Sequence, residues 1–373
     1  MKVLIMVDSF KGTLTSQDIG NIVSKKLKKD NIKSCILPIS DGGEGLLKTI
    51  SKQKKVFEKS ILANNPNFEK IQTRYLFDKD TAYIEMAEIN GLNLVKEEHR
   101  KPIFLSTYGL GEVIFEAIKK GVVNIVLGLG GSATNDAGAG MLEALGIKYY
   151  DEKKTLIEKI TPSKFKDIRY IDDTKLCKNI KNVRFTILSD VKNPLLGYEG
   201  ATYIYGPQKG LQKDEMKETE EKVKFFSELI ENKINEKTSI IAGAGCAGGV
   251  GFACLSYLSD KIYSGIEYLL ESYDFDNLIK EYDYVITGEG ALDKQSLYGK
   301  VVSVITKKTI ENNKKVIIIT GNNKLDETDV KDLKVEHIFS IVPDVATIKE
   351  SLANPKQVFE KFIDRIKWKS IIK

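Results

Sequence analysis

The stretch VVNIVLGLGGSATNDAGAG, residues 122–140, changes in its middle from apolar residues to glycine and small polar residues. Its first half contains the run NIVLGL (124–129), which is short and lacks strict alternation, as buried strands do. Its second half is rich in turn-forming residues, and a helical pattern follows over 136–146. The stretch therefore predicts a buried strand, a glycine loop and a helix, which is the repeating unit of α/β proteins.

The rest of the chain repeats this alternation of short apolar runs and amphipathic helical patterns. The other runs are VLIMV (3–7), SCILPI (34–39), VRFTIL (183–188), DYVIT (283–287), VIIIT (316–320) and HIFSIV (337–342). Further helical patterns cover roughly 15–29, 43–53, 107–120, 209–232, 247–258, 299–312 and 345–366. Runs without alternation are typical of parallel strands that helices cover on both faces, so we predict an α/β fold.

Two segments interrupt this rhythm and indicate a second domain. In residues 67–100, KIQTRYLF and TAYIEMA flank the turn-like DKD and predict a hairpin, and residues 150–182 are lysine-rich and irregular. We therefore predict two domains. Residues 1–65 and 263–373 form a discontinuous α/β domain from both chain ends, and residues 66–262 form an inserted α/β domain.

The composition narrows the classes of partner and compartment. The chain has 373 residues, 42% of them hydrophobic and 29% charged, and its net charge of +5 is spread over helical patterns. No nucleic-acid partner is expected, because proteins that bind nucleic acids usually carry their basic residues in clusters. The N-terminal run KVLIMV is too short for a signal-peptide core or a membrane span, and the four cysteines contain no CxxC pair. We expect a cytoplasmic protein without a membrane partner.

Glycine and carboxylate residues occur together where the predicted strands end. The instances besides the first stretch are VDSFKGT (7–13), ISDGGEG (39–45), LSDVKNPLLG (188–197), YGPQKG (205–210), AGAGCAGGVG (242–251) and TGEGALDKQSLYGK (287–300). Ligands of open α/β sheets bind at the carboxyl ends of the strands, so we expect these segments to share one cleft.

The glycine loop that follows the run 124–129 suits a phosphate group. Glycine lets backbone amides approach an anion closely, and a helix beginning near Thr134 would add its positive dipole end. Ser132 and Thr134 can donate further hydrogen bonds, while Asn135 or Asp136 can cap the helix or reach a metal ion. A tight turn with ordinary helix capping uses the same residue types and stays open as an alternative.

Dinucleotide binding is a further alternative. GxGxxA matches residues 128–133, with Asp151 near the spacing of a ribose-binding acid, and GxGxxG matches residues 243–248. Against the first match, Asp136 would place a negative charge beside the pyrophosphate; against the second, the preceding TSIIA is short. Short glycine motifs are weak signals, so we rank this interpretation below phosphate binding. A Walker A sequence is absent.

Acidic and basic side chains in these segments fit phosphoryl transfer. Mg²⁺ takes one or two carboxylates together with phosphate oxygens, and a carboxylate can accept a proton from a substrate hydroxyl. Lysines supply the counter-charge for phosphate or for a carboxylate substrate. The candidate acids are Asp8, Asp41, Glu44, Asp190, Glu289 and Asp293, and the candidate lysines are Lys11, Lys209 and Lys300. Each can also be a helix cap or a surface ion pair, so their recurrence beside glycine carries the interpretation.

Other catalytic chemistries lack their residues. His99 and His337 are the only histidines and are not spaced as zinc ligands, and no GxSxG elbow for a serine triad is present. Cys246 lies in a glycine loop, where a small buried thiol at a helix start is a simpler role than a nucleophile. Trp368 is expected to anchor the last helix.

Taken in order, the glycine segments resemble the signature blocks of the bacterial glycerate kinases of the first type. The resemblance covers residues 1–325 and rests on DSFKGTLTS, PISDGGEG, GLGGSATNDAGAG, SDVKNPLLGYEGA, GPQKG, GAGCAGGVGF and TGEGALDKQSLYGK. It implies a two-domain α/β protein with a Rossmann-like domain built from both chain ends. It also implies ATP-dependent phosphorylation of D-glycerate with Mg²⁺, usually to 2-phosphoglycerate. One departure is Cys246, where small residues such as alanine are common, and a thiol is nearly as small.

The resemblance and the residues together give a set of hypotheses about roles. The set for ATP is Gly130, Gly131, Ser132, Thr134 and Asn135, and the set for the substrate is Asp8, Ser9, Asp41, Gly42 and Gly43. The catalytic set is Asp190, Lys11 and Lys300, with Asp190 and Asp293 as Mg²⁺ ligands. We expect the reaction in a cleft between the domains of a monomer or homodimer. An NAD-linked oxidoreductase of a small hydroxy acid is the alternative.

Overall fold

The structure, a computed structural model, describes residues 1–10, 12–40, 42–176, 178–297 and 300–373. The chain divides into two compact units, which are called the first and the second unit below. The first unit consists of Met1–Asp41 with Ile266–Lys373, and the second of Gly42–Gly265. Within the described ranges, no helix combines the length and the hydrophobicity that crossing a lipid bilayer requires.

The strands and helices follow one another in the alternation that the sequence predicts. The strands are β1 (Lys2–Val7), β2 (Lys33–Ile36), β3 (Phe57–Asn64), β4 (Lys70–Phe77), β5 (Thr81–Glu85), β6 (Asn124–Gly128), β7 (Lys148–Tyr150), β8 (Leu156–Ile157), β9 (Tyr170–Asp172), β10 (Arg184–Leu188), β11 (Ile262–Tyr263), β12 (Tyr284–Leu292), β13 (Lys315–Asn323) and β14 (His337–Val342). The α-helices are α1 (Ser16–Lys29), α2 (Leu46–Gln53), α3 (Ala87–Asn90), α4 (Tyr108–Lys119), α5 (Ala139–Ala144), α6 (Ala201–Tyr205), α7 (Met216–Ile234), α8 (Cys246–Tyr257), α9 (Gly265–Ser272), α10 (Phe275–Leu278), α11 (Val301–Glu311), α12 (Glu327–Asp332), α13 (Ile348–Ala353), α14 (Pro355–Arg365) and α15 (Trp368–Ile371). Short 3₁₀ helices cover Leu92–Leu94, Glu97–His99, Pro102–Phe104, Pro162–Asp167, Lys178–Asn182, Pro207–Lys209, Ile279–Glu281 and Lys294–Leu297.

The first unit contains a parallel sheet with helices on both faces. Its strand order is β14-β13-β12-β1-β2, and all neighbouring strands run parallel. Side chains alternate along a strand, so Val3 and Ile5 of β1 join the apolar cluster of α1 and α14, while Leu4 and Met6 join that of α9 and α11. The predicted α/β fold, with a parallel sheet built from both chain ends, is confirmed.

Helix α1 shows how the sequence specifies these elements. Thr15 caps it, since its hydroxyl accepts a hydrogen bond from the Asp18 N–H while the Asp18 carboxylate accepts one from the Thr15 N–H. Ile19, Val23 and Leu27 recur at four-residue spacing and are buried against β1. The helix therefore begins and faces the sheet as the predicted pattern over 15–29 requires.

The second unit contains a mixed sheet of order β11-β10-β6-β5-β4-β3. Strands β5, β6, β10 and β11 run parallel, whereas β4 pairs antiparallel with both β5 and β3. The hairpin predicted within residues 67–100 is therefore present as β4 and β5. A separate antiparallel sheet, β8-β7-β9, occupies part of the segment 150–182, which the sequence predicted to be irregular.

The compact units change after residues 41 and 265, whereas the sequence placed the boundaries after residues 65 and 262. The physical reason for the first difference is β3, which pairs with β4 from Phe57 to Asn64 and so belongs to the mixed sheet. This strand was not predicted from the sequence. The second difference amounts to the few residues between β11 and α9.

Some helical patterns are shorter or more divided than predicted. The pattern over 345–366 forms α13 and α14, which are separated at Asn354 because Pro355 takes the first turn of a new helix. The pattern over 209–232 becomes helical only at Met216. Within α8, the backbone of Ala247, Gly248 and Gly249 is left-handed, with φ of 51°, 70° and 88°.

The C-terminal end of the chain is fixed by its single tryptophan. Trp368 is fully buried and lies 6.3 Å, centroid to centroid, from the ring of Phe339 in β14. It belongs to the same apolar cluster as β1, α1 and α14. The predicted role of Trp368 as a hydrophobic anchor agrees with this burial.

Replacing Trp368 by alanine should lower the free energy of unfolding by roughly 3–5 kcal/mol, because it leaves a cavity in the core of the first unit. Trp368→Phe should cost less, since a ring is retained and the buried indole N–H has no hydrogen-bond partner among the described residues. Leu352→Ala, at a side chain that is 62% exposed, is the control and should change stability by less than about 0.5 kcal/mol. Urea unfolding followed by circular dichroism measures all three, and equal losses for Trp368→Ala and Leu352→Ala would contradict the expectation.

Candidate functional site

The glycine loop after β6 is bonded to the segment of Asn90 and Leu92. The Leu92 N–H donates to the Gly131 carbonyl at 2.8 Å, and the Ala133 N–H donates to the Asn90 carbonyl at 2.9 Å. The N–H groups of Gly130, Gly131 and Ser132 donate to no acceptor within the described residues. Gly131 is exposed and has a left-handed φ of 62°. Successive amides in which one residue is left-handed are typical of anion-binding concavities, so this geometry is compatible with the predicted phosphate site, which stays a prediction.

The helix that follows the loop begins later than predicted. Helix α5 starts at Ala139, after the left-handed Gly138, so the prediction of a helix beginning near Thr134 was wrong. Before α5 the chain is held by hydrogen bonds to the Asp136 carboxylate. This carboxylate accepts 2.8 Å bonds from both the N–H and the hydroxyl of Thr107, and it accepts bonds from the Gly138 and Gly140 N–H groups at 3.3 and 3.2 Å. Fully buried Asp136 therefore ties the starts of α4 and α5 together.

Thr134 and Asn135 lie beneath the loop. Both are fully buried, and the Asn135 amide donates to the Thr202 hydroxyl of α6 at 3.1 Å. The Thr134 hydroxyl and the Asn135 carbonyl oxygen have no hydrogen-bond partner among the described residues. Their burial gives them a supporting position under Gly130 to Ser132, and their predicted contact with ATP stays a prediction.

A lysine side chain also lies beneath the loop. Lys209 is 2% exposed, and its Nζ donates to the Ser132 hydroxyl at 2.9 Å and to the Thr134 carbonyl at 2.7 Å. Burial lowers the pKa of this ammonium to about 7. The sequence indicated Lys209 only as one of several counter-charges, and its context in YGPQKG did not reveal that it is buried.

Glycines of other segments make room for this arrangement. A Cβ on Gly248 of α8 would lie 1.9 Å from the Thr134 carbonyl oxygen and 2.9 Å from Lys209 Nζ. A Cβ on Gly130 would lie 2.8 Å from the Gly43 Cα, and one on Gly42 would lie 2.5 Å from the Gly265 Cα. The second unit thus brings together the predicted ATP loop and the predicted substrate residues Gly42 and Gly43 by contact of main chain with main chain.

Glu85 holds the loop of Gly42 and Gly43 in place where it leads into α2. It ends β5, and its two carboxylate oxygens accept hydrogen bonds from the Gly45 N–H at 2.9 Å and the Leu47 N–H at 3.0 Å, at the start of α2. Burial, at 4% exposure, raises the pKa of Glu85 to about 7. The sequence analysis missed this residue, although an acid inside the apolar run TAYIEMA was a visible signal.

Asp190 lies at the same edge of the sheet as the glycine loop. Leu188 of β10 pairs in register with Gly128 of β6, so Asp190 and Gly130 each stand two residues beyond paired positions. One oxygen of the Asp190 carboxylate accepts bonds from the Ser264 hydroxyl at 2.9 Å and the Gly265 N–H at 3.1 Å. The side chain is half-buried. The predicted position of Asp190 beside the loop is what the parallel pairing of β6 and β10 produces.

The carboxylates fit a magnesium ion better than a metal held by protein alone. Among the described residues, no group of three or more His, Cys, Asp or Glu side chains is placed to hold a metal ion. Mg²⁺ needs only one or two carboxylates when phosphate oxygens complete its shell, and half-buried Asp190 at the strand end suits that arrangement.

The remaining predicted site residues belong to the first unit. Asp8 is 8% exposed and directly follows β1; its N–H donates to the Gly288 carbonyl of β12 at 2.9 Å, and its carboxylate accepts from the Ser9 N–H at 2.7 Å. Asp293 follows β12, and its carboxylate accepts from the N–H and the hydroxyl of Ser296 at 3.2 and 3.3 Å. Since β1 and β12 are parallel neighbours, both acids stand at the carboxyl edge of that sheet.

Lys300 lies directly before α11, where its carbonyl accepts from the Ser303 hydroxyl at 2.9 Å and the Val304 N–H at 3.0 Å. Lys11 and Asp41 lie outside the described residues, so their predicted roles stay predictions.

Neither dinucleotide motif has the structural context that such a site needs. After β6 the chain runs through ten residues before α5 starts at Ala139, which is longer than a tight phosphate turn. Asp151 follows β7, which belongs to the small antiparallel sheet, and residues 238–242 before the second motif form no strand. Cys246 is fully buried, and burial raises the pKa of its thiol to about 12, which agrees with a packing role.

Comparison with known proteins gives one consistent result. A family model described as the glycerate kinase family matches residues 3–369. The chain is 34% identical to a glycerate kinase of Halalkalibacterium halodurans over 96% of this chain and 95% of that protein. It is 33% identical to glycerate 2-kinase of Escherichia coli K12 over 94% and 93%. A crystal structure from Salmonella typhimurium LT2 that bears the provisional name glycerate kinase 2 matches with a TM-score of 0.80 at 29% identity, over 98% of this chain and 96% of that one.

The raised pKa of Glu85 predicts a pH effect on stability. Between the usual pKa near 4.5 and the folded value of about 7, the folded protein holds a proton on Glu85 that the unfolded chain has lost. Raising the pH through this window should therefore lower the free energy of unfolding of the wild type, relative to Glu85→Gln, by up to about 3 kcal/mol. Urea unfolding at about pH 4 and about pH 8 measures the difference.

Glu97→Gln is the matched control for that experiment, because Glu97 is an exposed acid of the same unit. Its stability should follow that of the wild type at both pH values. Parallel pH curves for the wild type and Glu85→Gln would contradict the assignment.

Proposed function

The chain belongs to the glycerate kinase family, and from this membership we propose that it transfers the γ-phosphate of ATP to D-glycerate, with Mg²⁺ as the assisting ion and 2-phosphoglycerate as the product. The observation that carries the proposal is the loop Gly130 to Ser132, whose three N–H groups donate to no acceptor in the described residues. An anion with several oxygens is the ligand that consecutive amides of this kind bind. The proposed enzyme acts in the cytoplasm as a monomer or homodimer on a small molecule.

The proposed roles follow the chemistry of phosphoryl transfer, which depends on positioning and on stabilising charge. Gly130, Gly131 and Ser132 bind phosphate oxygens of ATP through their amides, and the Ser132 hydroxyl adds a donor. The glycerate hydroxyl oxygen attacks the γ-phosphorus while the bond to the bridging oxygen of ADP breaks. Asp190, half-buried at the strand end, accepts the proton that the hydroxyl loses.

The charges around the transfer come from two kinds of group. When bound, Mg²⁺ neutralises phosphate charge, and we assign Asp190 and Asp293 as the acids available to it. Lys11, with Lys300 as the second choice, is assigned to stabilise charge on the transferred group. Asp8, Ser9, Asp41, Gly42 and Gly43 are the proposed substrate residues. Of these, Gly42 and Gly43 are supported by their contact with the loop of Gly130 within the second unit.

Purified protein should release ADP from ATP when D-glycerate and Mg²⁺ are present, at a turnover number of about 1–100 s⁻¹, as is usual for kinases. Phosphorus NMR of the product should show the resonance of 2-phosphoglycerate. Removal of the metal with a chelator should abolish turnover. D-Lactate, which has the 2-hydroxyl but lacks the 3-hydroxyl, is the informative companion substrate, because weak transfer to it also points to the 2-hydroxyl.

A 3-phosphoglycerate resonance would contradict the proposed product while leaving the kinase activity intact. ADP release that does not depend on any hydroxy acid would contradict the proposed reaction itself.

Asp190→Asn should lower kcat by about 10²- to 10⁴-fold, because the amide cannot accept the substrate proton and binds a metal ion more weakly. The acidic limb of the pH profile of kcat/KM should also disappear. Asp260→Asn is the control at an exposed acid of the same unit, and its kcat should stay within about twofold of the wild type. Normal turnover of Asp190→Asn with an unchanged pH profile would remove Asp190 from the mechanism.

A further inference from the structure

Lys209 is a nearly fully buried cation beneath the glycine loop, and no carboxylate of the described residues bonds to it directly. Its Nζ has two neutral acceptors, the Ser132 hydroxyl and the Thr134 carbonyl, and it forms no ion pair with a carboxylate of the described residues. The titratable groups that face it are Asp136 and Cys246. Asp136 is already engaged by four donors, and the pKa of the Cys246 thiol is about 12, so this thiol is neutral.

The bond from Lys209 decides how the Ser132 hydroxyl can act. A hydroxyl group has one hydrogen to donate and lone pairs that accept. Because Lys209 donates to the Ser132 Oγ from below, the hydroxyl hydrogen is left to donate elsewhere. The Ser132 N–H and the N–H groups of Gly130 and Gly131 donate to no acceptor in the described residues either. The loop therefore presents donors, and the positive charge lies one hydrogen bond behind them.

We propose that Lys209 is a positioning residue for nucleotide binding, which fixes the Ser132 hydroxyl as a donor to a phosphate group of ATP or ADP and places a positive charge beneath that phosphate. The inference rests on the proposed function. It extends that function by a residue that is too buried to touch solvent and therefore acts through Ser132.

The burial of Lys209 has a consequence that a purely structural lysine would not show. Its pKa of about 7 means that the ammonium loses its proton readily in the free protein. A bound phosphate stabilises the charged form, so nucleotide binding and protonation of Lys209 favour each other. The contribution of Lys209 to the nucleotide affinity should therefore be larger at low pH than at high pH.

The experiment measures ADP binding by calorimetry at about pH 6 and about pH 9 for the wild type and Lys209→Met. Methionine keeps the length and volume of the buried chain but lacks charge and N–H groups. At the lower pH, Lys209→Met should have a Kd for ADP about tenfold to a hundredfold higher than the wild type, as expected for the loss of a hydrogen bond network around a charged group. At the higher pH, the ratio of the variant's Kd to that of the wild type should be several times smaller. The KM for D-glycerate should stay within about twofold.

Lys222→Met is the matched control, because Lys222 is also largely buried in the second unit but is paired with Glu218 at 2.7 Å on α7. It should leave the Kd for ADP within about twofold of the wild type. An equal loss of ADP affinity in Lys209→Met at both pH values is what a structural role would give, and it would overturn the proposal.

Ser132→Ala keeps the proposal testable if Lys209→Met folds poorly. This change removes only the hydroxyl, and it should raise the Kd for ADP about tenfold. In the double variant that combines Ser132→Ala with Lys209→Met, the total loss of ADP binding free energy should be smaller than the sum of the two single losses, because Lys209 acts through Ser132. Unchanged ADP affinity in Ser132→Ala overturns the inference. A wild type that transfers phosphate while Lys209→Met binds ADP normally overturns this inference alone, and a wild type that binds no ADP overturns the proposed function as well.

Discussion

The contact on which the second unit depends is that of two glycine backbones, Gly130 with Gly43. A Cβ on Gly130 would come within 2.8 Å of the Gly43 Cα, and a Cβ on Gly128 would come within 2.4 Å of the Gly42 carbonyl oxygen. Since no side chain fits between them, the loop after β6 and the loop before α2 meet by main chain alone. The amides of Gly130, Gly131 and Ser132 are consequently not screened by side chains of the loop. The close contact and the presence of unused donors therefore have the same cause.

Charge around this contact is arranged by burial as much as by proximity. Charging Lys209 in its site is disfavoured by about 5 kcal/mol relative to water, as its lowered pKa indicates. Glu85 is the acidic counterpart: burial disfavours its charged carboxylate as well, although two N–H groups of the loop before α2 and of its first turn bind it. The surrounding strands, helices and loops hold both groups out of water, although burial disfavours their charged forms. An anion bound at the loop offsets the cost for Lys209, which is why we read this lysine as functional.

The sequence predicted the fold class well, since the seven apolar runs form β1, β2, β6, β10, β12, β13 and β14. What it did not predict depends on contacts between distant residues. β3 is partly exposed and alternates weakly, so only its pairing with β4 identifies it. The helix near Thr134 was placed too early, because Asp136 binds Thr107 of another segment and Gly138 turns left-handed. The candidate acids at strand ends were visible in sequence. Glu85 was not singled out, and Lys209 was named only as a counter-charge, since burial is a property of the folded chain.

The chemistry that remains open to this site is decided by what lies nearest to the loop. The Cys246 thiol is buried and keeps its proton, so it offers no nucleophile. The donors are main-chain amides, and their direction is set by Asn90 and Leu92 on one side and by Lys209 below. A reaction that uses such a site must gain its rate from orientation and from fixed dipoles, because no covalent intermediate with these groups is available. The proposed phosphoryl transfer between two small molecules meets that condition. The supports of the loop therefore matter to the reaction as much as the groups that touch the substrate.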